Sequence, residues 1–335
     1  MSTTARTRTP VSAALREIQA PVRERLHEAS EELRRIVVAD LPLITEVNSH
    51  LLQMQGKMFR PTLALLAAAS AGRPDWTRAV RIAAVVELMH LATLVHDDSV
   101  DHSVLRRGMP TVNSVFSHQV SVIMGDYLYA KSLATLVDHA ELEPLRILAD
   151  TSTQMTVGEM HQLTAMDALA FTEDDYDRLI WRKTASLLSA ACEMGALCGA
   201  EEHRQALRRY GERLGMAFQV TDDLLDYTEG AAVTGKPSGL DLREHKVTLP
   251  LIHALDGMPA PQRERVDALF AAPEPDDALI ADVVALVAER GGIEYARQKG
   301  ERFAHQAEEA LRDVPEGEVR TALTDAIVYV MDRRS

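Results

Sequence analysis

Residues 87–102 read ELMHLATLVHDDSVDH, and residues 218–227 read FQVTDDLLDY. The first stretch closes an apolar run with three aspartates, Asp97, Asp98 and Asp101. The second repeats the spacing with Asp222, Asp223 and Asp226. On an α-helix, positions i and i+4 share a face and i+1 is turned by about 100°. Asp97 and Asp101 therefore point the same way with Asp98 beside them, and the second set does likewise. Clustered carboxylates repel one another unless a cation compensates them. Hard carboxylate oxygens suit Mg²⁺, which keeps several waters and bridges to substrate phosphates. For either motif alone, a solvated acidic helix end is an equally good reading. Two matching copies, each ending an apolar helix, favour a pair of facing walls that hold a diphosphate through metal ions. An EF-hand is excluded, because its loop needs alternating acidic positions around a central glycine.

Outward from these stretches the pattern stays helical. Leu26, Leu33, Ile36 and Val37 recur at helical spacing, and Pro61 stands near the start of a helix that stops by Gly72. Apolar periodicity covers 76–100 and roughly 112–139, 141–166, 173–199, 202–228, 246–256, 276–290, 293–312 and 316–332. The breaks RRGMPT, EPEPDD, GGIE and DVPEG carry proline, glycine or acidic cap residues. Alternating strand-type runs, solenoid repeats and Gly/Ser linkers are missing. This predicts one all-α domain with two facing motif helices, preceded by a disordered arm over residues 1–10.

Composition sets the outer limits. The 335 residues carry 36 basic and 50 acidic side chains, a net charge of −14. No basic surplus exists to displace the counterions of a nucleic acid, so nucleic acid is not an expected partner. The acidity suits metal cations, although solubility alone would explain it. Aromatics are 4% of the chain, which favours helix over sheet. Cys192 and Cys198 can form neither a disulfide framework nor a thiolate zinc site, and they read as buried thiols of a cytoplasmic protein. The polar N-terminus lacks an apolar signal core, and no stretch reaches roughly 18 uninterrupted apolar residues. A weak peripheral membrane contact for product release stays open.

Seven linked segments then share an order. They are GKMFRP, HLATLVHDDSVDHSVLRRGMPTVN, GDYLYAKSL, GEMHQL, KTASLL, GMAFQVTDDLLDYTEG and GKPSGLDLREHKVTLPLI. Over roughly residues 50–255 the chain resembles the trans-isoprenyl diphosphate synthases, the polyprenyl synthetases. That resemblance implies a single antiparallel helix bundle around a deep central cavity, usually a homodimer. It implies Mg²⁺-dependent transfer of an allylic prenyl group to isopentenyl diphosphate, with three ions when substrate is bound.

The resemblance also assigns roles. Asp97, Asp98 and Asp101 would bind metal on the allylic diphosphate from one wall, and Asp222, Asp223 and Asp226 from the other. Arg106, Lys183 and Lys236 match positions that hold that diphosphate, with Thr184, Gln219 and Lys246 as neighbouring contacts. Gly56, Lys57, Arg60, His90 and Arg107 match the isopentenyl diphosphate pocket. Outside the match, each lone cation would read as a surface charge and His90 as a core histidine. His96, His102 and His118 have no match and read as structural. Met58 departs from the family, where a basic residue is common. The implied chemistry is ionisation to a carbocation–pyrophosphate pair, attack by the isopentenyl double bond, and loss of a proton to the departing pyrophosphate. No side-chain nucleophile is called for, and GxSxG is absent.

The growing product would run along the apolar segment before Asp97. Ala92 and Thr93 are small where short-chain relatives commonly place an aromatic floor. Met89, about 12 Å back along the axis, is flexible. With no floor within that distance, the product expected is about C30–C45. Geranylgeranyl or geranylfarnesyl diphosphate is the alternative if a later residue closes the tunnel and Ala92 and Thr93 are ordinary helix packing. A terpene cyclase or a non-catalytic partner subunit fits less well. A cyclase needs no isopentenyl pocket and usually carries a different second motif, and a non-catalytic subunit typically loses an aspartate motif.

Overall fold

The computed structural model describes residues 11–54, 56–164, 168–228 and 239–332. The arm expected over residues 1–10 lies outside them, as does Lys236. The described helices are α1 (Val11–Ile18), α2 (Arg23–Ile36), α3 (Pro42–Gln53), α4 (Phe59–Ala69), α5 (Trp76–Val100), α6 (Val112–Val115), α7 (His118–Asp138), α8 (Leu142–Thr164), α9 (Glu173–Ile180), α10 (Ser186–Ala196), α11 (Arg204–Thr228), α12 (Leu240–Arg243), α13 (Leu249–Leu255), α14 (Ala260–Ala271), α15 (Asp277–Glu289), α16 (Gly292–Ala310) and α17 (Glu318–Met331).

The axis of the bundle is α5. Its side chains from Ile82 to Met89 are buried on every face, as expected of a helix apolar all round. It passes the length and composition test for a membrane span, but 72% of that apolar window is buried by protein. Asp75 caps its start by accepting from the Arg78 N–H. The helix packs along α7 and against α2 and α4. The other motif helix, α11, packs along α10 and α16. Gly211 permits the α10 contact, and Gly215 permits the approach to Ala185 just before α10. A Cβ at Gly211 would lie 2.5 Å from the Leu188 carbonyl, and one at Gly215 would lie 2.5 Å from the Ala185 Cα.

Four departures from the sequence pattern are informative. The expected 112–139 helix breaks at Phe116, and Ser117 caps α7 by accepting from the Val120 N–H. The expected 173–199 helix contains a π-helical turn at Trp181–Ala185. The RRGMP break is a tight hairpin, with β1 (Leu105–Arg106) pairing antiparallel with β2 (Met109–Pro110). Both of its loop residues, Arg107 and Gly108, are left-handed, which is the geometry a two-residue loop favours. Finally, α14 has no counterpart in the pattern, because only Val266 and Leu269 of its twelve residues are buried. Both cysteines are buried and free, and burial pushes the Cys198 thiol up to about 12 and that of Cys192 higher still.

Candidate active site

The first wall is the last turn of α5. Asp98 is 4% exposed, and Arg106, on the hairpin, donates from Nε to its Oδ1 at 2.7 Å. Burial raises the Asp97 carboxyl to about 6. Glu159 and Asp101 add repulsion there, which Lys183 and Arg106 oppose. Glu159, on α8, pairs with the Lys183 ammonium at 2.8 Å, and Gln162 accepts from the same ammonium at 3.3 Å. Glu159 and Gln162 stand in GEMHQL, a segment that the sequence marks without giving its residues a role. Asp101 is exposed at the end of the helix.

The second wall is the last turns of α11. Asp223 is buried, accepting at 2.6 Å from the Tyr176 hydroxyl and at 2.7 Å from Gln219 Nε2. Burial lifts its carboxyl to about 7, against those hydrogen bonds and with help from Asp222 and Asp226. Gln219 Oε1 in turn accepts from the Thr184 hydroxyl at 2.7 Å. Asp222 is exposed. The Asp226 carboxylate accepts from the Leu240 and Asp241 N–H groups at 3.0 and 2.9 Å, tying α11 to the start of α12. That placement brings a further carboxylate, Asp241, into the site. Burial and the proximity of Asp223 and Asp226 raise it to about 8. The sequence gives Asp241 no signal beyond its place in GKPSGLDLREHKVTLPLI.

Two lysines face the carboxylates, and one of them, Lys246, reaches both walls. Lys183 faces Glu159 and Asp97 from the π turn. Lys246 lies within electrostatic reach of Asp101 on one wall and Asp241 on the other, and donates to Glu244 at 2.7 Å. Burial opposes its charge, but these carboxylates hold the ammonium above its usual range.

A cationic cluster adjoins the first wall. Burial and the charges of Arg60, Arg107 and Arg106 push the His90 imidazole well below its usual range, so it is neutral. Buried Glu87 lies within electrostatic reach of Arg60 and Arg107; burial raises its carboxyl and the two cations moderate the rise. Arg107 Nη1 donates to the Met54 carbonyl at 2.8 Å. A Cβ at Gly56 would lie 2.5 Å from that same Nη1, so glycine is what admits the guanidinium. The Lys57 ammonium sits 5.9 Å over the ring of Tyr329 from α17, a residue without a sequence signal. Met58 is left-handed at φ 52°.

The three chain-length candidates do not share one environment. Met89 is buried in the main core with α4 and α10, whereas Ala92 is buried among Leu88, Leu91, Met124 and Leu128. Thr93 is half-buried, one turn before Asp97, and its hydroxyl donates to the His90 carbonyl at 2.8 Å. The unmatched histidines make local contacts. His96 Nε2 lies 3.0 Å from the Val122 carbonyl, and Ser99 Oγ lies 2.7 Å from His118 Nδ1. The His102 and His118 rings lie 5.9 Å apart, tilted by 34°.

The profile of the family described as Polyprenyl synthetase matches residues 41–287, most of the chain and both walls. The chain belongs to the polyprenyl synthetase family. Members of this family are prenyltransferases that elongate prenyl chains, and so is this protein. It is 36% identical over 95% of its length to an all-trans-nonaprenyl-diphosphate synthase (geranyl-diphosphate specific) of Rhodobacter capsulatus, covering 97% of that protein. It is 37% identical over 85% of its length to an octaprenyl diphosphate synthase of Escherichia coli, covering 88% of it. A polyprenyl synthase of Caulobacter crescentus, solved in complex with calcium and isoprenyl diphosphate, superposes with a TM-score of 0.89 at 31% identity. That match covers 99% of this chain and 100% of the other. These relatives place the protein in the medium- to long-chain group and in the all-α fold of the family.

The polyprenyl synthetase family is metal-dependent, and the donors present here fit a hard divalent ion. They are carboxylates that burial and mutual repulsion hold at raised protonation, in walls only partly compensated by Lys183, Lys246 and Arg106. Among the described residues, no three His, Cys, Asp or Glu side chains close around one point. An ion that completes its shell with water and phosphate oxygens suits such an open donor set.

Proposed function

We propose that the protein condenses isopentenyl diphosphate head to tail with an allylic diphosphate, using Mg²⁺, and repeats the step to an all-trans product of about C30–C45. The observation that carries this reading is the pairing of two sites. One is a double carboxylate wall bridged by Lys246, with Lys183 beside Asp97, and the other is the metal-free cationic pocket of Gly56, Lys57, Arg60, His90 and Arg107. A terpene cyclase has no use for the second pocket.

Asp97, Asp98, Asp101, Asp222, Asp223 and Asp226 would hold the metal, directly or through water. Bound Mg²⁺ would neutralise the diphosphate and make it a better leaving group. Lys183, Arg106 and Lys246 face the same space and would hold the diphosphate while charge builds on it. In the other pocket the guanidinium forks of Arg60 and Arg107 offer paired donors for phosphate oxygens. Neutral His90 would offer a hydrogen bond there without adding charge. Both thiols are buried and protonated, and neither serves as a nucleophile. A cytoplasmic location agrees with free, reduced cysteines.

A homodimer is supported by an outward face on α7 and α8. Val122, Ile123 and Val137 on α7, and Val157, Met160 and Leu163 on α8, are all exposed. Such an apolar surface on an otherwise acidic protein is suited to a partner copy.

Incubation with radiolabelled isopentenyl diphosphate, farnesyl diphosphate and Mg²⁺ tests the reading. Linear products, sized after phosphatase treatment, should fall in the stated range. A shorter product would favour a geranylgeranyl or geranylfarnesyl diphosphate synthase, a cyclised hydrocarbon would favour a cyclase, and no turnover a partner subunit.

A further inference from the structure

The contact between Tyr176 and Asp223 has no part in the assignments above. Tyr176 is 1% exposed, and its hydroxyl donates to Asp223 Oδ2 at 2.6 Å. Gln219 donates to Oδ1 at 2.7 Å and is itself held by Thr184. Each oxygen of Asp223 therefore has a fixed donor, and one of the two comes from a different helix. That helix, α9, is firmly anchored. Lys299 of α16, 5% exposed, reaches Glu173 and Asp177 of α9 at 2.6 Å each. Tyr295 adds a hydrogen bond to Glu173 at 2.8 Å. Thr172 and Asp175 close the start of α9 with a capping box. Seven residues beyond Tyr176, within the π turn, Lys183 binds Glu159 beside Asp97. A single anchored segment thus bonds the second wall and stands within electrostatic reach of the first.

We propose that Tyr176 is a positioning residue for the second aspartate wall. Its hydroxyl fixes the Asp223 carboxylate, and through it the last turn of α11, at the spacing from the first wall that a metal-bound diphosphate requires. Tyr176 acts through Asp223 and does not itself touch substrate. The inference rests on the prenyl-transfer reading and adds to it the element that sets the distance between the walls.

The test is a double-mutant cycle of Tyr176→Phe and Asp223→Asn in the full-length protein. Two Mg²⁺ titrations are read, one of turnover and one of the thermal shift produced by Mg²⁺ with inorganic pyrophosphate. Tyr176→Phe should raise the Mg²⁺ midpoint about tenfold in both, the scale typical of losing an outer partner of a metal ligand. The KM for isopentenyl diphosphate should stay within about twofold, because that pocket is built from other elements. In the Asp223→Asn background the same change should alter the midpoint by less than about twofold. Gln219→Leu removes the donor on the other oxygen and should shift the midpoint in the same direction, an independent check if Tyr176→Phe folds poorly. A lower metal-free melting temperature with an unchanged Mg²⁺ midpoint would overturn the proposal, as would additive effects in the cycle. A wild-type protein that ignores Mg²⁺ and pyrophosphate in both titrations would instead sink the prenyl-transfer reading, and the role of Tyr176 with it.

Discussion

Around Asp97 stand two carboxylates, Glu159 and Asp101, and two cations, Lys183 and Arg106. With burial added, the balance leaves its carboxyl at about 6, above its ordinary 3.8. In the metal-free protein the stability linked to this group is full below pH 4 and is lost as pH rises through about 6. Asp97→Asn escapes that loss. Metal-free melts should show the variant more stable than wild type at pH 7.5 by on the order of 1–3 kcal/mol, with the gap closing toward pH 4. A gap that is absent, or that widens in acid, would contradict the charge balance. The same variant should lose on the order of 10²–10³-fold in turnover. At Gly56 the limit is steric. Gly56→Ala should displace the Arg107 guanidinium and raise the KM for isopentenyl diphosphate about tenfold, leaving that for the allylic substrate nearly unchanged. An equal rise in both would mean that the pocket is not separate. The six motif aspartates were readable from sequence because they are doubled at helical spacing. Glu159, Asp241 and Tyr329 were not, since a single carboxylate or phenol in a helical chain has no period, and only packing brings it to the site.

Helix positions were largely legible, but the elements that aim the site residues were not. The π turn at Trp181–Ala185 interrupts an apolar pattern that reads as one continuous helix, yet Lys183 and Thr184 both lie in it. The hairpin that carries Arg106 and Arg107 depends on two left-handed residues, one of them not a glycine, which weakens its turn signature. The contact that seats the π turn is the approach of α11 to it at Gly215. Gly215→Ala should push Ala185 away, lower stability by about 1–3 kcal/mol and disrupt the Thr184–Gln219 hydrogen bond. Denaturant unfolding would measure the first effect and the allylic KM the second. A variant with unchanged unfolding would show that the helices yield there. Along α5 the candidates for product length separate. Thr93→Phe, on a half-buried position under Asp97, should shorten the product. Ala92→Phe must enter a closed apolar cluster and should shorten it only with a loss of about 1–3 kcal/mol. Product sizing beside thermal melts distinguishes them, and full-length product from a folded Thr93→Phe protein would remove Thr93 from the tunnel.

At the scale of the molecule, net charge opposes association and the α7–α8 face favours it. Each chain carries −14, but at physiological salt the repulsion between two copies is screened beyond about 8 Å. The exposed Val122, Ile123, Val137, Val157, Met160 and Leu163 would then decide the outcome. The proposed homodimer should therefore dissociate when a charge is placed at the centre of that face. Ile123→Glu should halve the mass seen by sedimentation at micromolar concentration, whereas reversing a charge at exposed Glu308→Lys on α16 should not. The face is also wired to the site. His96, next to Asp97, lies 3.0 Å from the Val122 carbonyl, and a Cβ at Gly125 would sit 2.2 Å from its ring. An α7 loosened by the loss of its partner would relax that contact and the aspartates beside it, so turnover should fall with dimer content as the variant is diluted. A monomer with full activity would mean that the first wall is held by α5 and the hairpin alone, and an Ile123→Glu protein that stays dimeric would move the interface elsewhere on the molecule.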